Sequence, residues 1–232
     1  MYRWGAALLA LVGCGRIGFD GSTSVDGGAP ADAFVGKWSL AQEVENQADT
    51  TISWSQDTAA GTVLIVAFNL PPGGDVTALT DAVGNAFTRV EAATSTDFQG
   101  PLQIWSAVNT DDASGDIQID FTGPMPNAQV AWEVSGLTGA IDEVAALSDQ
   151  PTTTTPASVA ITTSKPGDFV VSIVKTETIE SLTSPEFAAD ATIFFDGYAH
   201  LAANTAPAGT YQSRWTSTVS MFCTSAVAFF SD

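Results

Sequence analysis

Nucleophilic catalysis needs a nucleophile, a base and a group that orients the base, and this chain offers few residues for those roles. Its single histidine is His200, in the segment GYAHLAAN, and no serine stands in a GxSxG turn. A lone histidine without companions is typical of a packing or surface residue. One histidine and one buried cysteine, Cys223, also supply too few ligands for a catalytic zinc site. The sequence therefore predicts no catalytic residues for acyl transfer or zinc chemistry.

Carboxylates are the most abundant ionisable groups, with 26 acidic residues against 7 basic ones. Two carboxylates about 5 to 10 Å apart across a cleft can hydrolyse a glycosidic bond. Some such pair is available in any chain this acidic, so composition alone does not indicate a hydrolase. Glu133 lies inside an apolar segment and alternates with Trp132 and Val134, which predicts that it faces the wetter side of its strand. A glycoside hydrolase stays an alternative, and the sequence favours a protein that is not an enzyme.

The segment NTDDASGD places Asn109, Asp111, Asp112 and Asp116 in one loop. Their side-chain oxygens are the hard ligands that calcium prefers. The spacing does not fit an EF-hand loop, which has a glutamate at its twelfth position. Asp, Asn and Gly also fix tight turns, and that alternative needs no ion. We expect no obligatory cofactor, and calcium is the one candidate metal for this loop.

Exposed aromatic side chains can form a platform on which a sugar ring stacks. Trp132 is in phase with its apolar neighbours and is predicted to lie in the core. Trp105 shares its face with Gln103 rather than with Leu102, so it is either exposed or covered by a second sheet. Large aromatic side chains usually serve cores. Trp105 with Phe98 is the pair predicted to contact a ligand.

The N-terminal residues have the composition of an export signal. Arg3 is followed by the apolar run WGAALLALV, which is shorter than the about 20 residues that a membrane-spanning helix needs. The segment LVGC, at 11–14, resembles the lipobox of bacterial lipoproteins. That resemblance implies a diacylglycerol on the Cys14 sulfur and cleavage before Cys14. It also implies sorting to the outer membrane, because Gly15 is not aspartate. An ordinary secretory signal with a chance cysteine is the alternative.

The signal is followed by a linker and then by a folded domain. Residues 15–35 are rich in Gly, Ala, Ser and Asp, which predicts a flexible tether. With Cys14 lipidated, Cys223 has no partner in the chain and is predicted to be a core residue. We expect a signal peptide (1–13), a lipidated cysteine with its linker (14–35) and one β-sandwich domain (36–232).

From Trp38 onward the sequence has the pattern of short β-strands separated by turns. In GDIQIDFT, Ile117, Ile119 and Phe121 alternate with polar residues, as in a strand with one buried face. GTVLIVAFNL and GDFVVSIVKTET are apolar on both faces, as in central strands, and SPEFAAD predicts at most one helical turn. Segments such as PPGGD, DAVGN and SKPGD have turn chemistry. This pattern predicts an all-β fold, a single antiparallel β-sandwich of jelly-roll type, and it shows no internal repeat.

The order of the strand-like segments resembles a bacterial extracellular β-sandwich module. The segments that carry the resemblance are GTVLIVAFNL, DAVGNAFTRV, LQIWSAVNT, GDIQIDFTG, QVAWEVSGL and PGDFVVSIV. The match covers residues 50–232, and Trp132 and Glu133 stand where the module has Glu and Tyr. The resemblance implies a sandwich fold in a secreted or surface protein, often beside carbohydrate-active or adhesive domains. It implies no catalytic residues.

The net charge of −19 excludes some partners. Nucleic acids and anionic lipid surfaces are bound mainly through Lys and Arg, which are scarce here. The observations together predict a lipid-anchored protein of the cell envelope with a non-catalytic sandwich. Its expected function is adhesion, or the binding of a glycan or a surface protein. A purely structural envelope component is a further alternative.

Overall fold

The computed structural model describes residues 38–93, 100–112, 115–193, 196–218 and 220–231. These residues form β-strands that pair antiparallel, and they contain no helix, which confirms the predicted all-β antiparallel sandwich. The strands are β1 (Ser39–Gln47), β2 (Thr51–Ile52), β3 (Val63–Asn69), β4 (Asp75–Thr80), β5 (Thr88–Ala93), β6 (Leu102–Val108), β7 (Ile117–Thr122), β8 (Ala128–Ser135), β9 (Leu137–Thr153), β10 (Ile161–Thr162), β11 (Phe169–Lys175), β12 (Ile179–Leu182), β13 (Phe187–Ile193), β14 (Asp196–Leu201), β15 (Thr210–Tyr211), β16 (Trp215–Ser217) and β17 (Ser220–Ser231).

Two five-stranded sheets face each other and enclose the main core. The first sheet has the order β1-β8-β3-β6-β5, and the second has the order β13-β14-β11-β17-β9. Every second side chain of each strand points between the sheets, where Ile65, Trp132, Phe169 and Val227 are fully buried. The core position predicted for Trp132 is confirmed.

Smaller sheets cover the outer faces of both large sheets. The sheet β2-β7-β4 packs against the first large sheet around Phe68, Trp105 and Ile117. The pairs β10-β15 and β12-β16 pack against the second large sheet around Val170 and Trp215. The strands β3 and β11 are therefore buried along their whole length, as their continuous apolar runs predicted.

The two large sheets have the same topology. Strands β1, β8, β3, β6 and β5 correspond in order to β9, β17, β11, β14 and β13. Likewise β7 pairs with both β2 and β4, and its counterparts β15 and β16 pair with β10 and β12. Strand β1 lies against β13, and β9 lies against β5, as a two-fold rotation that exchanges the sheets requires. We call β1–β8 the first repeat and β9–β17 the second repeat.

The strand registers match the repeats residue by residue. Val63–Asn69 corresponds to Phe169–Lys175, and a glycine with positive φ stands two residues before each strand, Gly61 at 81° and Gly167 at 82°. The prediction that the chain has no internal repeat was therefore wrong. The repeats share turn positions and buried faces but few identical side chains, because a β-core accepts different apolar residues of suitable volume.

Candidate functional site

The loop predicted to bind calcium is braced by its own hydrogen bonds. Asn109 is buried, donates its Nδ2 to the carbonyl of Ala59 (2.8 Å) and accepts from Nδ2 of Asn85 (2.8 Å). The Oδ1 of Asp112 accepts from the backbone N–H of Ala60 (2.8 Å). These contacts match the turn-forming role that the sequence left open for the loop.

The remaining two residues of the predicted calcium site are exposed. Asp111 accepts from the backbone N–H of Asp112 (2.8 Å), and Asp116 lines a shallow pocket of about 170 Å³ beside Trp54. Within the described ranges, no three His, Cys, Asp or Glu side chains are close enough to hold a metal ion. Calcium binding by this loop stays a prediction.

Trp105 is covered by a second sheet, which was one of its two predicted environments. Its side chain packs under the β2-β7-β4 sheet, is 7% exposed and donates its Nε1 to Oε1 of Gln103 (3.1 Å). The guanidinium of Arg89 lies 5.9 Å from the ring centroid. A ring enclosed in this way offers no stacking surface, which corrects the predicted ligand contact of Trp105. Its predicted companion Phe98 lies outside the described residues.

Glu133 is buried, which corrects the prediction that it faces solvent. Its carboxylate accepts from Nε2 of Gln42 (2.7 Å), from the backbone N–H of Ala59 (2.7 Å) and from Oγ1 of Thr62 (3.0 Å). The alternation correctly placed Glu133 on the outer face of β8, but the β2–β3 loop folds over that face. Glu133 thus holds this loop against the sheet.

A second polar cluster lies where β1 meets β13. The Oδ1 of Asp190 lies 2.5 Å from Nδ1 of His200, and its Oδ2 accepts from Nε1 of Trp132 (3.0 Å). The side chains of Asp190 and His200 are 1% and 11% exposed. Glu43, half-buried on β1, forms a hydrogen bond with the carboxylate of Asp190. We call Glu43, Trp132, Asp190 and His200 the Asp190 cluster.

The strand registers explain why these side chains meet. Glu43 pairs with Trp132 across the β1–β8 ladder, so both point between the large sheets. A β-bulge between Ala189 and Ala191 takes Asp190 out of the β13–β14 register, and bulges commonly redirect a side chain. The imidazole of His200 then lies between the carboxylate of Asp190 and the ring of Phe169, whose centroid is 5.7 Å away.

The electrostatics of the cluster follow from burial and from the closeness of its carboxyl groups. Desolvation, followed by the charge of Asp190, raises the pKa of Glu43 from its ordinary value of 4.5 to about 8. Two carboxylates in contact cannot both ionise at low cost. At neutral pH, Glu43 therefore keeps its proton and donates it in a hydrogen bond to the carboxylate of Asp190.

A shallow groove continues from the Asp190 cluster along the same two strands. Its volume is about 180 Å³, and it is lined by Glu45, Asn46, Gln47, Thr192 and Ile193. Glu45 and Thr192 each stand two residues beyond a member of the cluster. The charge of Glu45 also contributes to the raised pKa of its neighbour on β1. The groove is thus polar, hydrogen-bonding and negatively charged.

The equivalent positions of the other sandwich edge carry no ionisable group. When the two repeats are aligned by their strand registers, Val144 is equivalent to Glu43 and Val227 to Trp132. Val90 is likewise equivalent to Asp190, and Ser106 to His200. Even the β-bulge recurs, because Val90 lies in a bulge of β5 between Arg89 and Glu91. At the other edge the same fold is therefore built with three valines and a serine at these positions. The Asp190 cluster is a chemical feature that the fold itself does not require.

Sequence reasoning missed two members of this cluster. Asp190 lies in SPEFAAD, for which one helical turn was the prediction, whereas Phe187–Ile193 is a strand. Glu43 lies in SLAQEVENQ, where a bulge between Leu40 and Gln42 breaks the alternation. Placing the two repeats side by side supplies the missing signal, because polar residues then stand opposite valines.

The substitution Glu43→Gln is expected to flatten the pH dependence of stability. The native state keeps a proton on Glu43 up to about pH 8, whereas the unfolded chain releases it near 4.5. Because the native state binds more protons in this range, the wild-type free energy of unfolding falls as pH rises from 4.5 to 8. Glutamine does not ionise. After allowance for solvent screening, we expect the free energy of unfolding of the variant to rise relative to that of wild type by about 1 kcal/mol from pH 5 to pH 8.

Urea unfolding at both pH values measures this gain. Glu45→Gln is the matched control, because it removes an exposed carboxylate from the same strand. Equal pH slopes for wild type and Glu43→Gln would contradict the assignment of the proton.

Comparisons with protein-family models, curated proteins and solved structures found no match. In the part of the chain that the structure describes, no helix could cross a membrane. Cys14 lies outside the described residues, and so does the side chain of Cys223 on β17. The lipobox, the linker and the buried state of Cys223 stay predictions.

Proposed function

We propose that this chain is a lipid-anchored cell-envelope protein whose sandwich binds an extended basic segment of a surface protein without catalysing a reaction. In this proposal, Cys14 holds the lipid and residues 15–35 tether the domain to the outer membrane. One observation carries the binding role. The Asp190 cluster and its groove occupy one of two equivalent sandwich edges, where the other edge has only valines and a serine.

The charge of the site favours a cationic ligand. Glu43, Glu45 and Asp190 stand in or beside the groove, on a chain with 26 acidic residues and 7 basic ones. An arginine guanidinium binds carboxylates through two parallel hydrogen bonds. A bound guanidinium would also stabilise the ionised form of Glu43. The binding of a cation is therefore coupled to release of the proton that Glu43 holds.

The position of β1 favours an extended ligand. Among the described strands β1 pairs only with β8, so it is an edge strand of the first sheet. An extended peptide can add to a sheet edge through its main chain while alternate side chains enter neighbouring pockets. Glu43 and Glu45 are two residues apart and share one face of β1. They match a peptide with basic side chains at alternate positions.

This site gives no support to the alternative of glycoside hydrolysis. The carboxyl groups of Glu43 and Asp190 are hydrogen-bonded to each other. Retaining and inverting glycosidases hold theirs about 5 Å or more apart, so that a sugar fits between them. Glu133 is also occupied, by three hydrogen bonds. Among the described residues, the large exposed apolar side chains include no aromatic ring that could stack on a sugar.

A titration with a defined peptide tests the proposal. The probe is an acetylated pentapeptide that alternates threonine with arginine, added to the detergent-solubilised full-length protein in a calorimeter. We expect saturable one-to-one binding that weakens in salt and strengthens as pH rises through about 8, because Glu43 then loses its proton. The substitution Cys14→Ala should leave the affinity unchanged and move the protein from the membrane fraction to the soluble fraction.

A charge-matched variant separates the site from general acidity. Asp116→Asn/Asp120→Asn removes two exposed carboxylates at and beside β7, a strand that pairs with β2 and β4 and with neither β1 nor β13. We expect this variant to bind the peptide as wild type does. The absence of any binding by wild type, or equal weakening in this variant and in Glu43→Gln/Asp190→Asn, would contradict the proposed site.

A further inference from the structure

Three polar side chains meet between the large sheets at the C-terminal ends of β3 and β11. Asn69 and Lys175 end these strands and occupy equivalent positions in the two repeats. Both share the inward strand face of core residues such as Ile65 and Val171. Asn69, Lys175 and Asp196 are 1%, 2% and 0% exposed. An amide, an amine and a carboxyl group are thus enclosed together in the sandwich interior.

A direct contact links Asn69 to Asp196, and Lys175 reaches the same end of the two strands. Lys175 stands opposite Asp196 on the β11–β14 ladder, and Nδ2 of Asn69 donates to the carboxyl of Asp196 from the other sheet. The Nζ of Lys175 lies 2.7 Å from the carbonyl oxygen of Leu70, the residue after Asn69. It also donates to the carbonyl of Gly100 (3.4 Å). These contacts place the amine at the backbone of the residue that follows Asn69 in the chain.

The surroundings suit an attack of the amine on the side-chain amide of Asn69. Burial raises the pKa of Asp196 well above its ordinary value, so a carboxylic acid is favoured at this position. Transfer of the lysine proton to Asp196 leaves a neutral amine and a neutral acid, which a low-dielectric interior stabilises against the charged pair. The Oδ1 of Asn69 accepts from Nδ2 of Asn127 (3.4 Å), a donor placed where negative charge would develop.

We propose that Lys175 and Asn69 form an intramolecular amide crosslink that joins the two large sheets. The Nζ of Lys175 attacks Cγ of Asn69, a C–N bond forms, and the bond from Cγ to Nδ2 breaks. Asp196 takes the proton that Nζ loses and gives one to the departing nitrogen, which leaves as ammonia. Asp196 ends unchanged, and no oxidant, reductant or metal takes part.

The crosslink has a clear structural consequence. It joins the central strand of the first repeat to the central strand of the second, next to the rotation axis that relates them. The covalent ring encloses residues 69–175, and closing a loop of that length restricts the unfolded chain in the way that a disulfide does. An amide also persists where a disulfide would be reduced. This inference is independent of the proposed peptide binding.

Mass spectrometry of the denatured full chain tests the proposal. We expect the wild-type protein to be lighter by one ammonia than its sequence and lipid require. Trypsin should fail to cleave after Lys175, since the side chain is then an amide. In the digest, residues 38–89 should remain joined to residues 90–214, because Pro166 blocks cleavage after Lys165. Fragmentation of this branched peptide locates the bond.

Variants assign the chemistry. We expect Lys175→Arg and Asn69→Ala to show no mass loss and no branched peptide, and the control Lys165→Arg to behave as wild type. Complete cleavage after Lys175 in wild type would overturn the proposal, and this result does not depend on whether any variant folds. Loss of ammonia that persists in Lys175→Arg would also overturn it, because it would come from another asparagine. Loss of water would place the bond on Asp196 instead and overturn the assignment to Asn69.

Discussion

The substitution Trp132→Ala is expected to lower the free energy of unfolding by about 4 kcal/mol. Trp132 is fully buried between the large sheets and pairs with Ile65 and Glu43 on its two neighbouring strands. Removing the ring leaves a cavity that strands fixed on both sides cannot close. It also removes the Nε1 donor of Asp190, so a buried carboxylate loses a hydrogen bond.

Chemical denaturation of Trp132→Ala at pH 7 measures this loss. Trp54→Ala is the matched control, because Trp54 is a half-buried tryptophan at the edge of the outer core. We expect the control to cost about 1 to 2 kcal/mol, since less apolar surface returns to water. Equal losses in the two variants would mean that Trp132 does not occupy the central core described above.

The substitution Gly197→Ala is expected to cost about 3 kcal/mol, although it adds only one methyl group. A Cβ at Gly197 would lie 2.6, 2.7 and 2.8 Å from Cε2, Cζ2 and Cδ2 of Trp215. Trp215 is 1% exposed and donates its Nε1 to Oγ of Ser213 (3.3 Å). The ring is therefore held on both sides, and either β14 or β16 must shift to admit the methyl group.

A second glycine provides the control for this prediction. At Gly209 the nearest atom to an added Cβ belongs to Tyr211 and lies 3.8 Å away, which is ordinary contact. We expect Gly209→Ala to change the free energy of unfolding by about 0.5 kcal/mol or less. Thermal unfolding of both variants measures the two changes in stability. A Gly197→Ala protein as stable as Gly209→Ala would contradict the packing of Trp215 on β14.

Much of the fold could be predicted from the sequence, because buried strands have a strong local signal. The apolar runs of β3 and β11 indicated central strands, and the alternation of Ile117, Ile119 and Phe121 indicated a strand with one covered face. All three are confirmed. Such patterns state which face of a strand is apolar. They do not state what covers the other face. For that reason the burial of Glu133 under the β2–β3 loop could not be predicted.

The candidate site could not be predicted, because its residues meet only through tertiary structure. Glu43 and Asp190 lie on edge strands of different sheets, and bulges interrupt the alternation near both. His200 had no companion in the sequence because its partner lies across a bulged hairpin. The repeat stayed hidden for a related reason. Its halves agree in register and turns, whereas the side chains at equivalent positions differ, including those that form the site.

The most direct test of this account is a paired measurement on Glu43→Gln/Asp190→Asn. The amides keep the shape of the carboxyl groups, and the amide oxygen that replaces the Asp190 carboxylate can still accept from Trp132, so the fold should persist without the charge. We predict that the affinity for the threonine–arginine peptide falls at least about tenfold, or 1.4 kcal/mol. We also predict that the free energy of unfolding at pH 8 equals or exceeds that of wild type. A variant that unfolds easily but, while folded, binds the peptide as well as wild type would show that the Asp190 cluster serves the fold and not a ligand.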